Sequence, residues 1–175
     1  MDAYECIATK LDVREFSSKA VPSDIKLKVL EAGRLTSSER NSQHWRFILV
    51  QERQGLERLA EDSFTGKWVK DANFAVIVLT DPQYRFHLLD TGRAIQDMQL
   101  AAWNFGVVSS IFTGITEEDI RKDFDIPKDM SPTAVVGFGY PDRKVSGRKK
   151  NRKPLEDVAF LERYGNHFEP RSLRT

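Results

Sequence analysis

A polar segment at residues 38–47, with the sequence SERNSQHWRF, carries the side chains best suited to hold a ligand. It combines hydroxyl, guanidinium, amide and imidazole groups, and an apolar run at residues 47–50 follows directly. That run predicts a buried strand. Loops that bring several hydrogen-bonding groups to the mouth of a buried strand are common ligand sites. We therefore expect a binding site where this loop meets the sheet.

Basic residues gather near the two ends of the chain. Lys10 and Arg14 lie four positions apart, and residues 143–153 hold seven further lysines and arginines. A charge run of this kind is more often a solvated surface than a binding site. Where such side chains converge, however, they supply the cationic donors that a phosphate requires. From the residues alone, both interpretations of the basic run stay open.

Several familiar catalytic and nucleotide-binding motifs are missing from the sequence. It contains no GxSxG elbow and no GxxxxGK[ST] loop, and no GxGxxG follows the first strand. His44, His87 and His167 have no ligand-like spacing with one another or with Cys6, so we expect no metal site. Any nucleotide must be held by something other than a Rossmann turn or a P-loop.

The composition is that of an ordinary globular protein. The 175 residues are 40% hydrophobic and 30% charged, with a net charge of +1. We expect a single domain over residues 1–175 and no attraction of the whole surface to nucleic acid. The lone Cys6 fits a reducing compartment, and no apolar run reaches the roughly 18 residues of a membrane span. The acidic N-terminus is unlike a signal peptide, and we predict a cytoplasmic protein.

Apolar patterning predicts helices and strands that are mixed without a strict alternation. An α+β sandwich fits this order better than a doubly wound parallel sheet. One helix is expected to begin at residues 22–24, with Ser23 as its N-cap, and another at residue 116. Further helices are predicted at residues 2–9, 52–62, 88–105 and 154–164, and strands at residues 46–50, 74–79, 107–112 and 133–140.

Four segments, in order along the chain, resemble motifs of the FMN-dependent nitroreductase family. Residues 10–16 (KLDVREF) are similar to RRS-[IV]-R-x-F, and residues 38–47 to PSxxNxQPW-F. Residues 106–114 (GVVSSIFTG) resemble G-L-G-s-c-W-I-G, and residues 152–157 (RKPLED) resemble R-K-P-L-E-E. Residues 90–102 are similar to the central helix of the family's dimer interface. The resemblance implies a nitroreductase-like sandwich, with a mostly antiparallel sheet flanked by helices, that forms a homodimer.

The resemblance also implies which residues contact FMN. Lys150 and Arg152 would reach the phosphate, and Lys10 replaces a family arginine as a charge. Arg14 would reach the ribityl chain and the O2 edge of the ring. Asp12 replaces a serine and puts a carboxylate where a phosphate would lie, so it would turn away or pair with Arg14 or a lysine of the tail. The expected cofactor-binding residues are Lys10, Asp12, Arg14, Ser38, Arg40, Asn41, Phe112, Thr113, Gly114, Lys150 and Arg152.

By this resemblance the chain is an NAD(P)H-dependent flavin oxidoreductase. NADH or NADPH would pass hydride to flavin N5, and the reduced flavin would pass electrons to a small-molecule acceptor such as a nitroaromatic or quinone. This is a ping-pong scheme with no catalytic side chain, in which FMN lies at the interface of a homodimer. Two alternatives stay open. One is another flavin chemistry on the same fold, and the other is a flavin-less binding or regulatory module whose residues 143–153 hold an anionic partner such as RNA.

Overall fold

A computed structural model describes residues 1–145 and 150–167 of the chain. The helices are α1 (Ala3–Thr9), α2 (Ser23–Leu35), α3 (Arg53–Glu61), α4 (His87–Asn104) and α5 (Glu117–Asp123). The strands are β1 (Arg46–Val50), β2 (Phe74–Thr80), β3 (Val108–Phe112) and β4 (Ser131–Gly139). Short 3₁₀ turns lie at Glu39–Asn41, Lys67–Asp71 and Leu155–Asp157.

The four strands form one sheet in the order β1-β2-β4-β3, and each neighbouring pair is antiparallel. In the central pair, Val76 of β2 lies opposite Val136 of β4. At the β3 edge, Val108 lies opposite Gly139. This topology confirms the predicted α+β fold with a mostly antiparallel sheet.

The side chains of β2 alternate between two apolar layers, one on each face of the sheet. Phe74, Val76 and Val78 pack in the layer that contains residues of α2 and α4. Ile77 and Leu79 belong to the layer that contains residues of α3 and α5. All seven residues of β2 are buried, because helices cover both faces of the sheet at its centre. This burial explains why the strand is a continuous apolar run rather than an alternating one.

Helices α2 and α4 approach each other closely on one face of the sheet. A Cβ atom at Gly33 would lie 3.0 Å from Cγ of Met98 and 3.1 Å from Cζ of Phe47, so a side chain there would push the helices apart. Helix α4 ends in a left-handed glycine, Gly106, whose φ is 73°. The amide of Val107 then donates to the carbonyl oxygen of Ala102 at 3.0 Å, which is a Schellman ending. The helix therefore stops where the sequence predicts.

Two local predictions are wrong. Ser23 is the first residue of α2 rather than its cap, because Pro22 occupies the cap position and no side chain caps the helix. The helix expected at residues 154–164 is only the turn Leu155–Asp157. Leu155 and Val158 are 57% and 58% exposed, so no apolar surface within residues 1–145 and 150–167 covers this segment. An isolated helix of that length is not stable without such packing.

Two kinds of feature are missing within residues 1–145 and 150–167. No helix there is both long enough and apolar enough to cross a membrane. The same ranges contain no group of three or more His, Cys, Asp or Glu side chains placed to hold a metal ion.

Candidate functional site

The chain between α1 and α2 runs beside β3, at the edge of the sheet. Asp12 forms a parallel bridge with Ser109, and the amide of Val13 donates to the carbonyl oxygen of Ser109 at 3.0 Å. Edge strands present unpaired backbone groups that can accept such an addition. The pairing fixes the backbone that carries Lys10, Asp12 and Arg14 along β3.

Three cationic side chains gather at this edge. Lys10 is only 8% exposed, and its Nζ lies 2.6 Å from Oδ1 of Asp12. Nζ of Lys150 donates to the carbonyl oxygen of Ile7. Burial lowers the pKa of Lys150, the nearby charges of Arg152 and Lys10 lower it further, and Asp12 opposes them. Three cations and one carboxylate therefore share a small region, which we call the cationic cluster.

The cationic cluster fits a phosphate monoester. Its three cations exceed its one carboxylate by two charges, and a phosphate monoester carries about −1.5 to −2 at pH 7. The Lys150 ammonium uses one of its three N–H donors on the carbonyl oxygen of Ile7, so two donors remain for a ligand. The side chain of Asp12 is 59% exposed, so the cluster is open to solvent on that side. The donor set and the net charge thus match the requirements of a phosphate.

Among the described residues, Asp12 neither turns away nor pairs with Arg14 or with a lysine of the tail, which were the alternatives expected from the sequence. It pairs with Lys10, two residues away. Gln99 of α4 also approaches it, with Nε2 at 3.4 Å from Oδ1, and donates to Oγ of Ser109 at 3.0 Å. Sequence reasoning missed Gln99; the only signal was a polar residue on the apolar, buried side of a helix.

Arg14 lies beside Ser110, the residue of β3 that follows Ser109. Its Nε donates to Oγ of Ser110 at 3.3 Å, and its guanidinium carbon lies 5.6 Å from the centre of the Trp68 ring. No ion pair joins Arg14 to Asp12 or Glu15 among the described residues. A hydroxyl and an aromatic face hold this guanidinium instead.

The predicted cofactor-binding residues 112–114 follow at the end of β3. Phe112 is buried and meets Trp68 edge-on, with ring centres 5.7 Å apart. The carbonyl oxygen of Gly114 accepts a hydrogen bond from the amide of Phe64 at 2.8 Å. A Cβ atom at Gly114 would lie 2.6 Å from Oγ1 of Thr65, so this position has no room for a side chain. The segment after α3 therefore fixes the backbone at residues 112–114.

Most of the predicted cofactor residues lie along one edge of the sheet. Ser109, beside the cationic cluster, and Phe112 are three residues apart in β3, which corresponds to about 10 Å. The cluster is at one end of this length, Arg14 is in the middle and residues 112–114 are at the other end. The predicted residues that share this edge are Lys10, Asp12, Arg14, Phe112, Thr113, Gly114, Lys150 and Arg152.

The other three predicted residues, Ser38, Arg40 and Asn41, do not lie along β3 in the folded chain. Among the described contacts, no hydrogen bond or ion pair joins them to the residues along β3. Their loop is tied to the first half of α4, where Oδ2 of Asp90 accepts from the amide of Glu39 at 3.0 Å. Asp90 and Gln99 are nine residues apart on α4, or about 13 Å. The two groups are thus separated within one chain.

The loop at residues 38–43 has an unusual backbone. Arg40, Asn41 and Gln43 have φ values of 49°, 57° and 48°, in the left-handed region that residues other than glycine seldom adopt. Oγ of Ser38 accepts from the amide of Gln43 at 3.0 Å and closes the loop. Such strain persists only where the surroundings enforce it, and it is concentrated at functional sites.

Helix α4 presents an uncovered stripe at its N-terminal end. Leu88 and Leu89 are each 61% exposed, and Gly92 has no atom within 4 Å of the position that a Cβ would take. Together with Gln96, these residues line a groove whose other walls include Ser37 and Arg93. The opposite side of α4 is packed against the sheet. We call Leu88, Leu89, Gly92 and Gln96 the α4 stripe.

The basic run at residues 143–153 is only partly described. Arg143, Lys144, Arg152 and Lys153 are exposed, whereas Lys150 is half-buried. Arg148 and Lys149 lie outside the described residues. Lys150 and Arg152 are the residues of the run that belong to the cationic cluster.

Comparisons with known proteins agree with this geometry. A family model described as "Nitroreductase family" matches residues 7–81 and 64–140. A Methanothermobacter thermautotrophicus protein with the name of an NADH dehydrogenase/NAD(P)H nitroreductase is 33% identical over 150 residues, covering 81% of this chain and 78% of its own length. A Staphylococcus aureus protein named NADPH-dependent oxidoreductase is 26% identical over 187 residues, covering 92% of this chain and 73% of its own length.

Solved structures show the same fold. A Bacteroides thetaiotaomicron protein, also with the name of an NADH dehydrogenase/NAD(P)H nitroreductase, aligns with a TM-score of 0.85 at 26% identity, over 93% of this chain and 98% of its own. A Clostridium difficile protein named FMN-dependent nitroreductase aligns with a TM-score of 0.83 at 19% identity, over 91% of this chain and 98% of its own.

Proposed function

The chain belongs to the nitroreductase family, and from this premise we propose that it is an NAD(P)H-dependent oxidoreductase that binds FMN along β3. When bound, the flavin would supply two-electron chemistry, taking hydride from NADH or NADPH and passing electrons to an acceptor such as a nitroaromatic or quinone in a ping-pong scheme. The resemblance identified in the sequence and the names of the relatives both favour this reaction.

The observation that carries the proposal is the cationic cluster. Lys10, Lys150 and Arg152 provide the excess positive charge that a phosphate monoester needs, and they come from distant parts of the chain. They lie about 10 Å along β3 from the loop at residues 112–114. A phosphate held by the cluster would direct the rest of the flavin toward that loop.

Arg14 has a separate task in this scheme. Its guanidinium is held between Oγ of Ser110 and the face of Trp68, part of the way from the phosphate end to Phe112. A fixed positive charge at the O2 edge of the ring favours the reduced, more negative flavin. No acid or base side chain is required for hydride transfer, so the chain contributes binding, orientation and electrostatics.

We also propose that the protein acts as a homodimer with FMN at the interface. The distance between Ser38, Arg40 and Asn41 and the other predicted residues within one chain supports this arrangement, because a second subunit could bring its own loop to the flavin. The α4 stripe supplies an apolar surface at the same end of α4 as that loop. Gly92 in the stripe would let another helix approach closely.

The proposed flavin site is tested by binding, with a matched control in the same segment. The double variant K150M/R152M removes two of the three cations, and we expect its Kd for FMN to rise by roughly 100-fold while its Kd for riboflavin stays unchanged. The control K153M removes an exposed lysine next to Arg152 and should bind both flavins like the wild type. Equal affinity of wild type and K150M/R152M for FMN would contradict the phosphate assignment. Absence of flavin binding by the wild type would contradict the function and favour a flavin-less module.

A further inference from the structure

We propose that Asp12 is an internal competitor for the flavin phosphate, and that it limits how strongly this protein distinguishes FMN from riboflavin. The inference rests on the proposed function and concerns the same site. Asp12 would then be a specificity-determining residue that lowers the affinity of the cationic cluster for a phosphate.

Asp12 is already paired with Lys10, the most buried cation of the cluster. The side chain of Lys10 is 9% exposed, whereas that of Asp12 is 59% exposed, so the ammonium lies beneath the carboxylate. The 2.6 Å distance between Nζ of Lys10 and Oδ1 of Asp12 is that of a short, charge-assisted hydrogen bond. A phosphate oxygen that reaches Lys10 from solvent must share this ammonium with the carboxylate.

Asp12 cannot leave the cationic cluster easily. Its backbone is fixed by the bridge to Ser109 and by the hydrogen bond from the amide of Val13. Nε2 of Gln99 also lies near the Asp12 carboxylate, and the same Nε2 donates a hydrogen bond to Oγ of Ser109, which keeps the Gln99 amide in place. The carboxylate therefore stays near the bound phosphate, and its negative charge opposes that of the phosphate.

The negative charge of Asp12 also acts on Lys150. Asp12 acts on the pKa of Lys150 in the direction opposite to Arg152 and Lys10, so its field is felt at the second ammonium. Removal of the carboxylate would raise the excess of the cluster from two positive charges to three. This change would raise the affinity for FMN, which carries a phosphate, but not the affinity for riboflavin, which has none.

The test uses the full chain and two neutral replacements. D12N keeps a carbonyl oxygen for Lys10 at nearly the same position and removes only the charge. D12S removes the charge and most of the side chain, and it is the second variant if D12N folds poorly. The matched control is D24N, which breaks an exposed aspartate–lysine pair with Lys28 (3.3 Å) on α2 and makes the same change in net charge.

Flavin affinity is measured by fluorescence titration with FMN and with riboflavin, at low salt and in about 1 M salt, where charges are screened beyond roughly 3 Å. We expect D12N and D12S to bind FMN about tenfold more tightly than the wild type at low salt, with riboflavin affinity unchanged. The gain should shrink in high salt, and D24N should match the wild type.

The outcomes separate this inference from the function on which it rests. If the wild type and the variants bind FMN equally well, Asp12 does not compete with the phosphate and the inference is wrong. If both variants bind FMN more weakly, Asp12 supports Lys10 instead of competing with the phosphate, and the inference is again wrong. An equal gain for FMN and riboflavin would also overturn it, because the effect would not involve the phosphate. If no form binds either flavin, the proposed function fails and this inference fails with it.

Discussion

Nε2 of His44 lies 3.2 Å from Oδ2 of Asp90, and both side chains are almost completely buried. The same carboxylate oxygen accepts the amide of Glu39 at 3.0 Å, and the His44 ring stacks on Tyr84 with ring centres 5.0 Å apart. One buried aspartate of α4 thus holds both ends of the loop that carries Ser38, Arg40 and Asn41. The relationship accounts for how a loop with strained backbone keeps one shape.

Removal of the His44 ring is expected to destabilise the protein. H44A leaves a cavity beside Tyr84 and takes a hydrogen-bond partner from a buried carboxylate, so the free energy of unfolding should fall by about 2–4 kcal/mol. Urea unfolding measures this change. The control H167A removes an exposed histidine and should stay within about 0.5 kcal/mol of the wild type. A similarly small loss for H44A would show that the pair does not anchor the loop.

The sheet and the ends of α4 were predictable from sequence because their signals are local. The continuous apolar run at residues 74–79, which ends shortly before a proline, predicts a strand, and Gly106 supplies the left-handed residue that ends α4. The turn at Leu155–Asp157 was predicted as part of a longer helix because an apolar spacing does not reveal whether a surface is available to cover it.

The site was predictable only as a set of candidates. Sequence similarity indicated Lys10, Lys150 and Arg152, but their convergence depends on pairing between the N-terminal segment and β3, which no local pattern encodes. The partners Gln99 and Trp68 were missed for the same reason. Each is an ordinary residue of its own element, and its role arises from what the fold places beside it.

Asp62 is expected to make stability depend on pH. Burial, followed by repulsion from Asp123, Asp119 and Glu61, raises the pKa of Asp62 from 3.8 to about 6, and Arg58 opposes this only weakly. Oδ2 of Asp62 is buried without a hydrogen-bond partner. The folded state therefore holds this proton more tightly than the unfolded state, so stability falls as pH rises from about 4 to 6 and the full penalty remains above that range.

The variant D62N removes the ionisation and tests this sign. At pH 7.5 it should be more stable than the wild type by about 1–3 kcal/mol, and the gain should almost vanish near pH 3, where Asp62 is mostly protonated in both states. Urea unfolding at the two pH values gives the comparison, with D129N at an exposed position as the charge control. A gain that is the same at both pH values, or a loss at pH 7.5, would be inconsistent with the raised pKa.

Trp68 is expected to act through Arg14. W68L removes the aromatic face that holds the guanidinium, and Arg14 should then stabilise the reduced flavin less well. We expect kcat/KM to fall roughly tenfold and the midpoint potential of the bound flavin to become more negative. W68F keeps an aromatic face and should restore most of both values. If W68L changes thermal stability but leaves the potential unchanged, Trp68 has a packing role alone.

The α4 stripe is expected to be a subunit interface. L89E places a charge in the stripe, and analytical ultracentrifugation should then show a monomer that has lost most of its FMN affinity. Leu27, 66% exposed in a separate groove between α2 and β1, gives the control L27E, which should remain a dimer. A dimeric, FMN-binding L89E protein would place the interface elsewhere.

The most direct test of the account is the visible spectrum of the FMN-loaded wild-type protein during anaerobic titration with NADPH and, separately, with NADH. We expect at least one nucleotide to bleach the flavin band in proportion to the amount added, and a nitroaromatic or quinone then to restore it. A protein that binds FMN but keeps its oxidised spectrum with both nucleotides would contradict the assignment as an NAD(P)H-dependent oxidoreductase.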